Sequence, residues 1–156
     1  MLRSVLAAAL LLTLAGCSGK KDDFETCPDA TGPAPAGYKV ILRLRGGTNV
    51  QGVQSLNLIT EDNEKYPCIN YALQTTLTHK NNDLTLRVCG TTPAATCKPD
   101  TTGPANSSTS VLGLVGGRYN LVVNVRGRRT TGVLDLSGSL FTLTTADSTV
   151  AAVRRR

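Results

Sequence analysis

Three sets of side chains in this 156-residue chain could do chemistry: five cysteines, one histidine, and basic residues gathered in short groups. His79 stands without an acid or nucleophile at motif spacing, and no G-x-S-x-G, H-E-x-x-H or phosphate-loop pattern occurs. Its surroundings, His79-Lys80-Asn81-Asn82-Asp83, are those of a turn, so it reads as a solvated imidazole. Glu61, Asp62 and Glu64 lack the spacing and distal Glu of a calcium loop and read as a solvated acidic loop. The cysteines show no C-x-x-C pair, which argues against zinc. The expectation is a non-enzyme that needs no cofactor or metal.

Charge is the remaining candidate, with 17 Lys and Arg against 11 Asp and Glu. Lys39, Arg43 and Arg45 alternate along one segment, Arg126, Arg128 and Arg129 cluster at a second, and Arg154 to Arg156 follow at the end of the sequence. The first six are candidate anion-binding residues for an acidic polysaccharide or an anionic surface. Solubility and protection of strand edges is the other reading of the same charge.

The first residues decide the compartment. A basic start (Met1, Leu2, Arg3) precedes an apolar run from Val5 to Leu14, broken only by Thr13, which is the layout of a secretory signal. The run is well short of the roughly 20 apolar residues a membrane span needs. Leu14-Ala15-Gly16-Cys17 then resembles the lipobox of bacterial lipoproteins. That resemblance implies removal of residues 1–16 and acylation of Cys17 as the mature N-terminus. Two or more acyl chains, at about 0.8 kcal/mol per buried CH₂, anchor a protein stably. Ser18 stands where Asp would resemble an inner-membrane retention signal, and Lys20-Lys21-Asp22-Asp23 resembles tags that carry some lipoproteins to the outer face of an outer membrane. A solvated linker is the alternative reading of those four residues. The implied address is the outer membrane, lipid-anchored and exposed on the cell surface. Export and an aromatic content of 4% argue against nucleic acid as a partner.

Residues 17–37 are polar, with Pro28, Pro33 and Pro35, and read as a flexible tether, leaving 38–156 as one domain. With Cys17 set aside for lipid, Cys27, Cys68, Cys89 and Cys97 make an even number in an exported chain and predict two disulfides. A two-residue turn at Asn81-Asn82 sets Cys89 opposite Gln74, about 20 Å along the strand from Cys68, too far for a bridge. The favoured pairing is Cys89 with Cys97 and Cys27 with Cys68. Cys68 with Cys97 and Cys27 with Cys89 stays open.

No apolar stripe of helical period follows the signal, whereas alternation is frequent, and the fold class is all-β. Strands are expected over Tyr38 to Arg45, ended by Gly46-Gly47, and over Gln54 to Thr60. A hairpin is expected around Asn81-Asn82, with Ile69, Tyr71, Leu73 and Leu77 facing Leu84, Leu86 and Val88 in a type I′ turn geometry. Further strands are expected at Val111 to Val115, Tyr119 to Arg126, Thr131 to Ser137 and Ser139 to Thr145, with a last edge strand at Thr149 to Val153. Gly90 to Ser110, rich in Pro and Thr, reads as a long surface loop. Leu114-x-x-Gly117-x-Tyr119-x-Leu121-x-Val123 resembles a strand of transthyretin-like and immunoglobulin-like modules of bacterial surface proteins. The resemblance implies an antiparallel sandwich of seven or eight strands and no particular ligand. The expected function is non-catalytic binding or adhesion at the cell surface, to a glycan or an envelope protein. A structural accessory subunit of an outer-membrane complex is the alternative, and a hydrolase the third.

Overall fold

A computed structural model describes residues 34–48, 54–93, 95–97, 101–111, 114, 116–138 and 140–154. The signal, Cys17 and the tether as far as residue 33, with Cys27, lie outside the described residues. Nine strands lie among the described residues: β1 (Val40–Thr48), β2 (Gln54–Asp62), β3 (Ala72–Lys80), β4 (Asp83–Thr92), β5 (Asn106–Ser110), β6 (Arg118–Val125), β7 (Arg128–Asp135), β8 (Thr142–Thr145) and β9 (Ala151–Val153). They form one sheet in the order β8-β7-β6-β4-β3-β5-β2-β1-β9.

The all-β class holds, but the architecture is not the expected antiparallel sandwich. Three junctions are parallel, β1 with β9, β4 with β6, and β3 with β5. The sheet curls until its two ends meet, because only residues 146–150 separate β8 from β9. The Thr145 hydroxyl donates to the Ala151 carbonyl at 2.7 Å across that meeting. The result is close to a barrel, whose inward residues make one core. Val40 and Leu42 of β1, Leu84, Leu86 and Val88 of β4, and Leu121, Val123 and Val125 of β6 are all buried in it. Alternation tells which face of a strand is dry; it does not tell whether that face meets a second sheet or its own far side.

Several boundaries also move. β1 runs through Gly46 and Gly47 to Thr48, paired with β2 down to Gln54. The 90–110 segment is not one loop: β4 extends to Thr92, and β5 lies inside the sheet between β2 and β3. Its sequence, Asn-Ser-Ser-Thr-Ser, is polar on both faces, so no alternation marks it. Ser107 and Thr109 point inward, where their hydroxyls lie 3.0 and 3.2 Å from Thr75 Oγ1. Those bonds supplement a β3–β5 junction with one backbone register pair, Ala72 with Asn106. Val111 is not in a strand, and residues 112, 113 and 115 lie outside the described ones. Ile69, expected on the apolar face of the hairpin, is exposed, and so is Phe141.

The hairpin register is as expected from Lys80 opposite Asp83 to Thr75 opposite Val88. Asn81 takes a left-handed φ of 55°, but Asn82 does not, so the turn is not type I′. That geometry occurs instead at the β6–β7 turn, where Arg126 (φ 45°) and Gly127 (φ 79°) are both left-handed. Past Thr75 the β3–β4 register shifts, and Gln74 pairs with Gly90. Cys89 is therefore the extra residue of a β-bulge, and three successive residues, Val88, Cys89 and Gly90, are buried.

Cys68 is bonded to Cys97, with Cα atoms 5.5 Å apart, which overturns both halves of the favoured pairing, Cys89 with Cys97 and Cys27 with Cys68. Cys89 is itself disulfide-bonded, and the remaining cysteines, Cys17 and Cys27, lie outside the described residues.

One glycine limits the sheet edge. A Cβ on Gly132 would run into the backbone carbonyl of Thr144 in β8. Gly132→Ala is expected to push β8 away from β7 and to cost about 1–3 kcal/mol, read as a lowered denaturant midpoint.

Candidate binding groove

A groove of about 1260 Å³ opens where β1 and β8 face each other. Among the described residues β9, with three residues, is shorter than the nine-residue β1 that it covers. Among them β9 pairs with Val40 to Leu42, and the Arg154 N–H adds a rung by donating to the Leu42 carbonyl at 3.0 Å. Among the described residues no strand pairs with that edge of β1 past the rung, and β1 and β8 approach each other along this seam.

Both faces of the strands contribute to the lining. Leu44, Leu56, Leu143 and Val153 belong to the apolar interior, and Arg43, Arg45, Ile59 and Glu61 to the outer surface. Leu140 and Phe141, 81% and 46% exposed, stand at the rim. Arg43 donates through an Nη to Glu61 Oε2 at 3.0 Å, and Arg154 approaches the other oxygen of Glu61 at 4.0 Å. Arg45 has no ion-pair partner among the described residues. Three guanidinium groups thus stand against one carboxylate on the groove wall. Arg43 Nε is buried and lacks a hydrogen-bond acceptor among the described residues.

The six basic residues singled out from the sequence divide. Arg43 and Arg45 reach the groove, joined by Arg154. Lys39 lies at the start of β1, its backbone N–H held by Asn63 Oδ1 at 2.8 Å. Arg126, Arg128 and Arg129 sit around the β6–β7 turn, at the end of the barrel where β1 begins. Arg128 donates to the Tyr38 carbonyl at 2.8 Å and to both oxygens of Thr149 at 3.1 Å, so it ties the turn to the chain on either side of the seam. Arg126 lays its guanidinium over the Tyr38 ring, 4.7 Å from the centroid. That stacking offsets the cost of a non-glycine residue in the left-handed region. Only Arg129 of the three is exposed.

That same end of the barrel holds a buried acid that the sequence reading placed in a solvated loop. Asp62 points inward from β2 and is 1% exposed. It accepts from the Tyr66 hydroxyl at 2.7 Å, the Tyr38 hydroxyl at 3.4 Å and the Ala105 N–H at 3.1 Å. Its own N–H donates to the Ala105 carbonyl at 3.0 Å, so Asp62 clamps the start of β5 to the end of β2. Tyr66 stacks on Tyr71 with centroids 4.6 Å apart, closing this end with aromatic rings. Burial raises the Asp62 carboxyl above its ordinary range, and bonds from Tyr66, the Ala105 and Glu64 amides and Tyr38 only partly counter it. Burial, with the neighbouring carboxylate, pushes the Tyr66 hydroxyl up to about 12. The period-2 count from Leu56 and Leu58 through Thr60 does point Asp62 inward; the acidic neighbours masked that signal.

His79 is exposed on the hairpin, edge-on to Tyr119. Among the described residues no three His, Cys, Asp or Glu side chains gather as a metal site. No family model matches the chain, and no curated protein or solved structure matches it either.

Proposed function

We propose that this chain is a lipid-anchored protein of the outer membrane, tethered through Cys17, whose β-domain is a non-catalytic binding module meeting an anionic partner in the β1–β8 groove. The observation that carries the reading is that three arginines and a single glutamate line one groove together with apolar side chains. Such a wall attracts an anion at long range, and the apolar lining retains a partner with non-polar groups. The lipobox-like Leu14-Ala15-Gly16-Cys17 supports the anchor and the outer-membrane address.

The test uses the full chain on immobilised heparin as a polyanionic probe. Arg45→Glu is expected to elute at clearly lower salt than the parent, and Arg129→Glu, the same charge change outside the groove, to shift far less. Equal shifts would mean that net charge alone is being read and would remove the groove from the proposal. A second reading, a structural accessory subunit of an outer-membrane complex, draws on the exposed Leu140 and Phe141. It predicts a stable co-purifying partner after mild detergent extraction.

A further inference from the structure

We infer that Cys89 in β4 is joined by a disulfide to Cys27, which leaves Cys17 as the one thiol open to acylation and ties the barrel to its lipid by a tether of ten residues. The choice of Cys27 over Cys17 rests on the anchor reading above; the bond at Cys89 does not.

Counting sulfurs narrows the partner to two. The chain has five cysteines, at 17, 27, 68, 89 and 97. Cys68 and Cys97 take each other. Cys89 is disulfide-bonded as well, so within one chain its partner is Cys17 or Cys27. A thiol sulfur forms one bond beyond its own Cβ, and a thioether to a glyceride uses it. An acylated Cys17 is therefore closed to Cys89, and Cys27 is left.

The place of Cys89 agrees with a partner arriving from the N-terminal side. In the β3–β4 ladder Val88 pairs with Thr75 and Gly90 with Gln74, so Cys89 has no residue opposite it, and a bulge re-aims the side chain it carries. Val88 lies beside Val125 of β6, and the next residue, Arg126, stacks on the Tyr38 ring at 4.7 Å. The Tyr38 N–H donates to the Pro35 carbonyl at 3.0 Å, and Ala34 packs against the core. The chain thus joins the barrel at the end where Cys89 lies. Cys27 is seven residues before Ala34, a span of up to about 25 Å, and Cys17 is ten residues further back. The shorter segment loses less entropy on closing.

Forming the bond takes one proton and one electron from each thiol. Both electrons pass to the disulfide of an envelope thiol oxidant, which leaves as a dithiol. The lipid then lies ten residues from the bond, about 35 Å of extended chain, against 21 residues and about 70 Å from Tyr38 without it. The bond halves the reach of the anchor.

The test expresses the full chain, residues 1–156, in a bacterium with an outer membrane. The purified protein is denatured without reductant, its free thiols are blocked with N-ethylmaleimide, and elastase cuts it at Ala94-Ala95, between Cys89 and Cys97. Mass analysis is expected to find no blocked cysteine, one peptide pair joining 27 to 89 and another joining 68 to 97. Cys27→Ser is expected to add one blocked thiol, at Cys89, and Cys89→Ser one, at Cys27; the parent digest reads the bond even where a variant does not fold. Cys89 blocked in the parent, joined to Cys17, or joined to a second chain in a dimer that reductant dissolves would each overturn the inference. The acyl mass on the Cys17 peptide is read from the same digest. A 27–89 pair with an unacylated Cys17 removes the anchor reading and keeps the bond. An acylated Cys17 with Cys27 and Cys89 both blocked removes the bond and keeps the anchor, and a 17–89 pair removes both.

Discussion

Asp62→Ala is expected to lower the unfolding free energy by about 3 kcal/mol, measured by denaturant titration with an unchanged slope. The substitution leaves the Tyr38 hydroxyl, the Tyr66 hydroxyl and the Ala105 N–H without their acceptor in a closed end of the barrel. Each stranded donor costs about 1–3 kcal/mol, and the relief of no longer burying a carboxylate offsets part of the sum. Asp62→Asn keeps one acceptor oxygen and should lose less. The comparison of the parent with Asp62→Asn also carries a pH signature. Burial raises the carboxyl in the folded protein above its unfolded value, so the folded state takes up the proton first as the pH falls. The parent should gain stability relative to Asp62→Asn on acidification, between the raised folded value and the ordinary value of 3.8. A gap that narrows on acidification would show that the hydrogen bonds outweigh the burial.

Cys68→Ser combined with Cys97→Ser is expected to cost about 3–4 kcal/mol, from the chain entropy of a closed loop with a separation of 29 residues. The same loss should appear for the parent protein unfolded in reductant if this bridge dominates, and a larger one if the Cys89 bond contributes as well. The bridge holds the 63–71 connection against the end of the 93–97 segment, where Asn70 also donates to the Thr96 carbonyl at 3.0 Å. The Tyr66 backbone pairs with Gly103 nearby through bonds of 2.8 and 3.2 Å. Loosening this connection therefore reaches the Asp62 clamp, and the two losses should be less than additive when combined.

Both effects fall at places where a local pattern misled. The acidic run from Glu61 to Glu64 looks solvated because carboxylates seldom enter a core, and what overrides that is a pair of tyrosines, one 24 residues upstream. The Cys68–Cys97 pairing is not readable from spacing, because it depends on the 63–71 connection being brought beside the residues before Cys97, where Asn70 also donates to the Thr96 carbonyl. By contrast, the outward placement of Arg43 and Arg45 was legible, since it needs only alternation along β1. The groove around them was not, because it depends on which distant strands are brought together when the sheet curls.

The amino-acid sequence by itself determined the all-β class, the inner and outer faces of β1, β4 and β6, and the position of the hairpin turn. These follow from period-2 alternation and turn residues, which act over a few neighbours. Only the tertiary structure decided the curling of one mixed sheet into a near-barrel, the Cys68–Cys97 bond, the burial of Asp62, and the placing of Arg45 and Arg154 on one groove. Each of these depends on which distant segments are brought side by side. Parallel and cross-chain pairings draw on long-range closure and shared burial, and these leave no mark in the spacing of residues along one strand.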